Sequence, residues 1–160
     1  MIKLKTSIFP EVSWGSIDPG QGTKIVSSDT IDKADGYLVK LTADGSFAYV
    51  TTMGTVNNIV SDRASELELD ASGNAYLAGH FAGSMEILGP SATTTITSNG
   101  DDDGFVLKLD STGNPVWAQN YGSTGGDSVD ALYYDRANTL YVAGRFVNTV
   151  DFDFGRRLPT

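Results

Sequence analysis

The chain has 160 residues, 40% of them hydrophobic and 10% aromatic, which is typical of a folded domain with a core. Its formal net charge of −9 would repel phosphate backbones and anionic lipid, so we expect no nucleic-acid partner and no membrane insertion. The absence of cysteine excludes disulfides, thiol nucleophiles and zinc sites of the cysteine type.

Residues 1–34 are the least regular part of the chain, and we predict an irregular segment that ends a preceding repeat. The opening letters, MIKLKTSIFPEVSWG, place two lysines before a short, broken apolar run, which is too weak for a signal peptide. We therefore expect either an intracellular protein or a natural polypeptide that begins upstream of Met1. Residues 16–35 also resemble residues 84–103, so the chain is predicted to open in mid-repeat.

Short β-rich runs separated by turn residues follow, and no window has the apolar spacing of a helix, so we predict an all-β fold of antiparallel strands. Six runs form three predicted hairpins: 37–41 with 47–53, 66–69 with 75–81, and 132–134 with 140–146. Further strands are predicted at residues 85–88, 93–97 and 150–153. The acidic run 99–104 is predicted to be a turn.

The sequence contains an internal repeat. Residues 62–88 return as residues 127–153, and residues 35–55 return as residues 103–123, each at a constant offset. Four antiparallel strands in about 66 residues are typical of a β-propeller blade, although a β-helix or a flat array of hairpins would also be periodic. Residues 35–160 are therefore predicted to hold about two repeats, as a partial or open propeller. We expect either a fragment of a longer protein or several chains in one ring, with self-association through open blade faces.

Some corresponding positions indicate a required backbone shape rather than a required chemical group. Gly73 aligns with Asn138, and both residue types tolerate the left-handed conformation. Gly79 and Gly144 stand inside predicted strands, where glycine indicates a bulge or a close backbone approach.

Three segments carry a family resemblance: DGFVLKLDSTGNPVWAQNYGS, DALYYDRANTLYVAGRF and VDFDFG. They are similar to the bacterial β-propeller repeat often called the SBBP repeat, over about residues 35–155. The resemblance implies a propeller of a bacterial cell-surface or secreted protein, hence an extracellular location, without catalytic activity of its own. It carries no catalytic or cofactor-binding residues to this chain.

Acidic residues recur at corresponding positions, namely Asp62 with Asp127, Asp70 with Asp135, and Glu86 with Asp151. A catalytic acid and base need different environments, whereas repeated positions share one environment. The recurrence therefore favours structural roles in turns and at strand ends, and we predict that the protein is not an enzyme.

Two groups of carboxylates are candidate calcium ligands, because calcium prefers oxygen donors. The first is Asp101, Asp102 and Asp103 in the acidic run, and the second is Asp151 with Asp153, which alternation would place on one face of a strand. A solvated acidic turn is the alternative interpretation. Apart from this calcium hypothesis, we expect no cofactor.

His80 is the only histidine, and Arg145 is its counterpart, so the position requires only a polar side chain. Five aromatic residues could line a sugar-binding surface or pack between blades: Tyr76, Phe81, Trp117, Tyr141 and Phe146. We predict a non-catalytic repeat module with a structural role or a protein or polysaccharide partner. The alternatives are a lectin-like, calcium-assisted module and a glycoside hydrolase fragment.

Overall fold

The computed structural model describes residues 34–55, 62–135 and 137–152, and each regular element in these ranges is a strand of an antiparallel sheet. The all-β prediction is confirmed. The predicted irregular segment, apart from Ala34, and the predicted metal ligand Asp153 lie outside the described residues. No helix in the described ranges is long and apolar enough to cross a membrane.

The described part of the chain contains eight strands. They are β1 Gly36–Leu41, β2 Phe47–Thr55, β3 Arg63–Leu69, β4 Ala75–Leu88, β5 Thr93–Leu109, β6 Pro115–Tyr121, β7 Ser128–Tyr134 and β8 Leu140–Arg145. Strands β1 to β6 form one sheet in the order β1-β2-β4-β5-β6, with β3 also paired to β4. Strands β7 and β8 form a separate two-stranded sheet.

The long strand β4 has two different neighbours along one edge. Its first half pairs with β3, and its last residues pair with the end of β2, from Thr52 opposite Leu88 to Thr55 opposite Met85. Strand β5 follows β4 along the opposite edge through both halves. Strand β4 therefore joins the β1–β2 hairpin and the β3–β4 hairpin of the first copy in one sheet.

The two copies of each hairpin share one register. Lys40 of β1 lies opposite Tyr49, and Lys108 of β5 lies opposite Trp117, with an irregularity after each lysine. The β3–β4 and β7–β8 hairpins also match, with Ala64 opposite Gly79 and Val129 opposite Gly144. The sequence repeat is thus also a repeat of strand pairing, and the predicted hairpins are confirmed.

The hairpin loops use one backbone device in both copies. Gly73 has φ of 79° and its counterpart Asn138 has φ of 65°, both in the left-handed region. Gly45 and Gly113 take the same conformation in the β1–β2 and β5–β6 loops. The predicted backbone requirement at these positions is confirmed.

Two predictions about local structure were wrong. The acidic run 99–104 belongs to β5 rather than to a turn, because the residues on both sides of it pair with the same long strand β4. Residues 98–101 bulge opposite Gly83, whose N–H donates to Ser98 Oγ at 2.8 Å. Residues 150–152 are outside any strand, since no described strand lies beside them as β5 lies beside residues 85–88.

Alternate residues of β4 and β5 face two hydrophobic clusters. In the first, Phe81 packs edge-on against Phe105 at 6.1 Å between ring centroids. Its buried members are Met53, Ala75, Leu77, Phe81, Met85, Ile87, Phe105, Leu107 and Leu109. The second cluster packs the opposite face of β4 and β5 against β7, through Tyr76, Ala78, Val106, Val129 and Leu132. Hydrophobic packing therefore holds the β7–β8 hairpin against the larger sheet.

Gly79→Ala should strongly destabilise the protein. A Cβ at Gly79 would overlap the backbone carbonyl oxygen of Arg63 on the paired strand, and neither backbone can move aside without breaking the ladder. We expect a loss of about 3 kcal/mol in the free energy of unfolding, measured by urea denaturation. Gly126→Ala is the matched control, because nothing lies within 4 Å of its added Cβ. Equal stability of the two variants would contradict the close approach.

Candidate functional site

The acidic run does not gather metal ligands. Asp103 is fully buried, and its Oδ2 accepts hydrogen bonds from the Asn99 N–H at 3.0 Å and the Asn120 side-chain amide at 3.0 Å. Asp101 is exposed and Asp102 is half-buried. Over residues 34–55, 62–135 and 137–152, no three acidic, histidine or cysteine side chains converge as metal ligands, and Asp151 is exposed. The calcium hypothesis therefore has no geometric support within these ranges.

The buried carboxylates Asp62 and Asp127 hold strand ends together. Asp62 Oδ2 accepts the Thr55 N–H at 2.6 Å, its Oδ1 accepts the Thr55 hydroxyl at 3.0 Å, and its own N–H donates to Ala34 O at 2.9 Å. Burial raises the pKa of Asp62, against the hydrogen bonds from Thr55 and the backbone of Ala82. Asp62 thus connects the end of β2 and the middle of β4 through its carboxylate, and the start of β1 through its backbone N–H.

Asp127 repeats this arrangement in the second copy. Its Oδ2 accepts the Ser123 N–H at 2.6 Å and the Ser123 hydroxyl at 3.0 Å, and its Oδ1 accepts the Val147 N–H at 2.6 Å. Its own N–H donates to Asp102 O at 2.6 Å. We call Asp62 and Asp127 the buried aspartate clamps.

The aspartates of the hairpin loops also accept hydrogen bonds from backbone N–H groups. Asp110 Oδ1 accepts the Thr112 hydroxyl at 2.6 Å, the Thr112 N–H at 2.8 Å and the Asn114 N–H at 3.0 Å. The Thr112 side chain first, and then these backbone donors, lower the pKa of Asp110. Asp70 has the same role, and the Asn74 side chain is the main cause of its lowered pKa.

The predicted aromatic residues divide according to repeat. Tyr76 and Phe81 of the first copy are buried, and Tyr76 stacks on Tyr134 with 5.0 Å between ring centroids. Their counterparts Tyr141 and Phe146 are 57% and 56% exposed. Inter-strand packing therefore accounts for the first pair, while the second pair is left at the surface.

An open cavity of about 320 Å³ lies on this exposed side of the β7–β8 hairpin. Six of its apolar lining residues are Tyr121, Val129, Val142, Phe146, Val150 and Phe152. The counterparts of these six in the first copy belong to the first hydrophobic cluster or pack against it: Met53, Ala64, Leu77, Phe81, Met85 and Ile87. Ala143 also lines the cavity, and its counterpart Ala78 belongs to the second cluster. The cavity is thus the second copy of a core whose filling strand is missing among the described residues. We call its wall the open face.

The polar residues near the open face are few. Arg145, the counterpart of His80, donates from Nε to Ser128 Oγ at 3.1 Å, and that Nε lies 3.5 Å from Asp130 Oδ2. This ion pair is solvent-exposed and therefore adds little stability. His80 itself is half-buried. The open face is consequently a mainly apolar surface.

No protein-family model, curated protein or solved structure matches this chain. The similarity to the SBBP repeat accordingly stays a prediction from the quoted segments.

Asp127→Asn should weaken the second clamp. Both carboxylate oxygens of Asp127 accept backbone N–H groups, so an amide would turn its own NH₂ toward one of these donors. We expect a loss of about 2 kcal/mol in the free energy of unfolding, measured by urea denaturation. Asp101→Asn, at an exposed position, is the control and should change stability by less than about 0.5 kcal/mol. A stable Asp127→Asn protein would contradict the clamp.

Asp110→Asn should reduce the acid sensitivity of the fold. Because the pKa of Asp110 is lower in the folded state than in the unfolded state, its stabilising effect is complete above pH about 4 and is lost as pH falls through the folded pKa. The asparagine keeps the accepting oxygen and cannot titrate. The difference in melting temperature between wild type and variant should therefore be largest at neutral pH and shrink below pH about 4. A difference that does not change with pH would contradict this assignment.

Proposed function

We propose that this chain is a non-catalytic β-repeat module of the propeller type whose role is to bind a partner through the open face. The observation that carries this proposal is the contrast between the copies. Phe81 is fully buried in the first copy, whereas its counterpart Phe146 is 56% exposed beside an apolar cavity. An apolar surface of this kind on a soluble domain is typical of a protein-binding site.

The use of the acidic residues supports a structural interpretation. The clamps Asp62 and Asp127 accept hydrogen bonds from strand ends, and Asp70 and Asp110 accept them within hairpin loops. Carboxylates whose oxygens accept backbone hydrogen bonds at strand ends and in loops serve the fold, and none of these hydrogen bonds joins two of the four as an acid–base pair. These contacts favour a binding module over a glycoside hydrolase fragment.

A carbohydrate-binding module is the second candidate. Tyr133 and Tyr141 are 60% and 57% exposed, and their rings lie 6.1 Å apart at an angle of 33°. Exposed aromatic rings can stack against the apolar faces of sugars. The same rings belong to the β7–β8 hairpin, which pairs with no other described strand. We therefore favour a protein partner for this surface.

The location of the module follows from the resemblance alone. A bacterial cell-surface or secreted protein, with this chain as one part of a larger propeller array, is the setting that we propose. An acidic surface with a net charge of −9 would keep such a module away from anionic lipid and nucleic acid.

The proposal predicts that the open face is detectable in solution. At low concentration the chain should bind a fluorescent apolar dye, and at high concentration it should associate, as measured by light scattering coupled to size exclusion. Phe146→Ser should lower both signals. Val116→Ser is the matched control, because Val116 is exposed on β6, away from the cavity.

Three results would contradict this function. A chain that stays monomeric at every concentration and binds no dye has no open face. Turnover in a panel of glycosidase and esterase substrates, abolished by Asp62→Asn or Asp127→Asn, would indicate an enzyme. Glycan-array binding that Tyr141→Ala abolishes and Phe146→Ser does not would favour the carbohydrate-binding module.

A further inference from the structure

Five of the described strands, β1, β3, β6, β7 and β8, pair with one neighbour each and so have one unpaired edge, and two of these edges are related by the repeat. Strand β8 pairs only with β7, and strand β1 pairs only with β2. Unpaired edges expose rows of N–H and C=O groups that can pair with another chain. Both edges also carry large exposed apolar side chains, including Tyr37 and Leu41 on β1 and Tyr141 on β8.

The chain itself shows what fits these edges. Strand β8 is the second copy of the first half of β4, and β1 is the first copy of the second half of β5. The first half of β4 and the second half of β5 pair with each other, from Ala75 opposite Leu109 to His80 opposite Gly104. The free edge of β8 and the free edge of β1 are therefore repeats of two edges that are joined inside this fold.

We propose that β8 of one chain pairs antiparallel with β1 of a second copy, so that the two hairpins β7–β8 and β1–β2 complete one four-stranded blade. This inference rests on the proposed function and names the partner of the open face as a second copy of this chain. Transferring the β4–β5 register gives Leu140 opposite Leu41, Val142 opposite Val39 and Arg145 opposite Gly36 of the second copy.

The side chains of β1 are suited to the cavity. Phe105, Leu107 and Leu109 of β5 are fully buried against β4 in the first cluster. Their counterparts in β1 are Tyr37, Val39 and Leu41, which alternate along one face of the strand. Tyr37 is 53% exposed where Phe105 is 1% exposed. Pairing would bury these residues against Val142, Phe146 and Phe152, as the first copy buries their equivalents.

The other face of the proposed β8–β1 pairing also has an equivalent inside the chain, in the β4–β5 pairing. Lys108 lies with its Nζ 5.0 Å from the centroid of the Tyr76 ring, across the β4–β5 ladder. In the proposed joint, Lys40 of the second copy takes the place of Lys108 and Tyr141 takes the place of Tyr76. Within its own chain Lys40 Nζ lies 5.6 Å from the centroid of the Tyr49 ring and donates to Ser111 O at 3.1 Å. The cation–π contact between the two chains therefore requires Lys40 to turn from these partners, and the apolar face is what fixes the register.

The proposed contact joins different surfaces of the two copies, so it propagates until a ring closes or a filament grows. The described strands supply one complete blade, β3-β4-β5-β6, and two half-blades, β1–β2 and β7–β8. Since propellers close with roughly four to eight blades, a ring would take up about two to four sets of these strands. The net charge of −9 per chain opposes assembly over long range, so added salt should strengthen it.

Light scattering coupled to size exclusion tests the assembly with matched variants. Val142→Lys on the open face and Val39→Lys on β1 should each raise the apparent dissociation constant by about tenfold or more, because each places a charge in the apolar joint. Val116→Lys is the control and should change it by less than about twofold. Circular dichroism verifies that each variant is folded.

Cysteine cross-linking tests the geometry, because the natural chain has no cysteine. Val39→Cys and Val142→Cys proteins should form little covalent dimer separately and a disulfide-linked dimer when mixed, with the 39–142 linkage identified by peptide mass spectrometry. Lys40→Cys mixed with Val142→Cys is the register control and should react poorly, since residue 40 points to the other face. Predominant 142–142 or 39–39 dimers would overturn head-to-tail pairing.

The outcomes separate this inference from the proposed function. A monomer that binds the apolar dye through Phe146 overturns the assembly while the open face remains a site for another partner. A monomer that binds no dye overturns both. Association that Val142→Lys does not weaken, or that Val116→Lys weakens equally, also overturns the proposed joint.

Discussion

The pairing of β4 with two successive neighbours on one edge is the constraint on which the rest of the structure depends. Among the described strands, the β1–β2 hairpin is hydrogen-bonded to the rest of the sheet only through the pairing of β2 with β4. By continuing from β3 along the end of β2, β4 joins both hairpins of the first copy in one sheet. The buried aspartate clamp Asp62 lies where these strand ends meet and accepts the N–H of Thr55, and Asp127 accepts the corresponding N–H of Ser123.

The sequence predicted the local features well and the non-local ones less well. Hairpins and left-handed loop positions depend on neighbouring residues, so alternation, Gly73 and Asn138 were sufficient to place them. The acidic run 99–104 was misassigned because its strand conformation comes from pairing with β4, which is distant in sequence. The strands β3 and β7 begin earlier than predicted, at Arg63 and Ser128, for the same reason.

At the candidate site, too, local features were predicted from the sequence and non-local ones were not. Recurrence of Asp62 as Asp127 indicated a strand-end role, and both carboxylates accept a backbone N–H at the end of a strand or just after it. That these carboxylates are buried could not be read from the sequence, because their burial depends on three strand ends meeting in space. Open blade faces were expected from the repeat count, but the cavity beside Phe146 and its residue-by-residue match to the first cluster required the structure.

The shared register of the two copies has a consequence for how such a protein can evolve. The residues of β8 and β1 that lie at the surface are copies of residues that the interior of the same chain requires. Duplication of one whole repeat within the chain would place strands of matching register beside one another and lengthen the array without a new recognition code, so growth by whole repeats is the easiest change available to this fold.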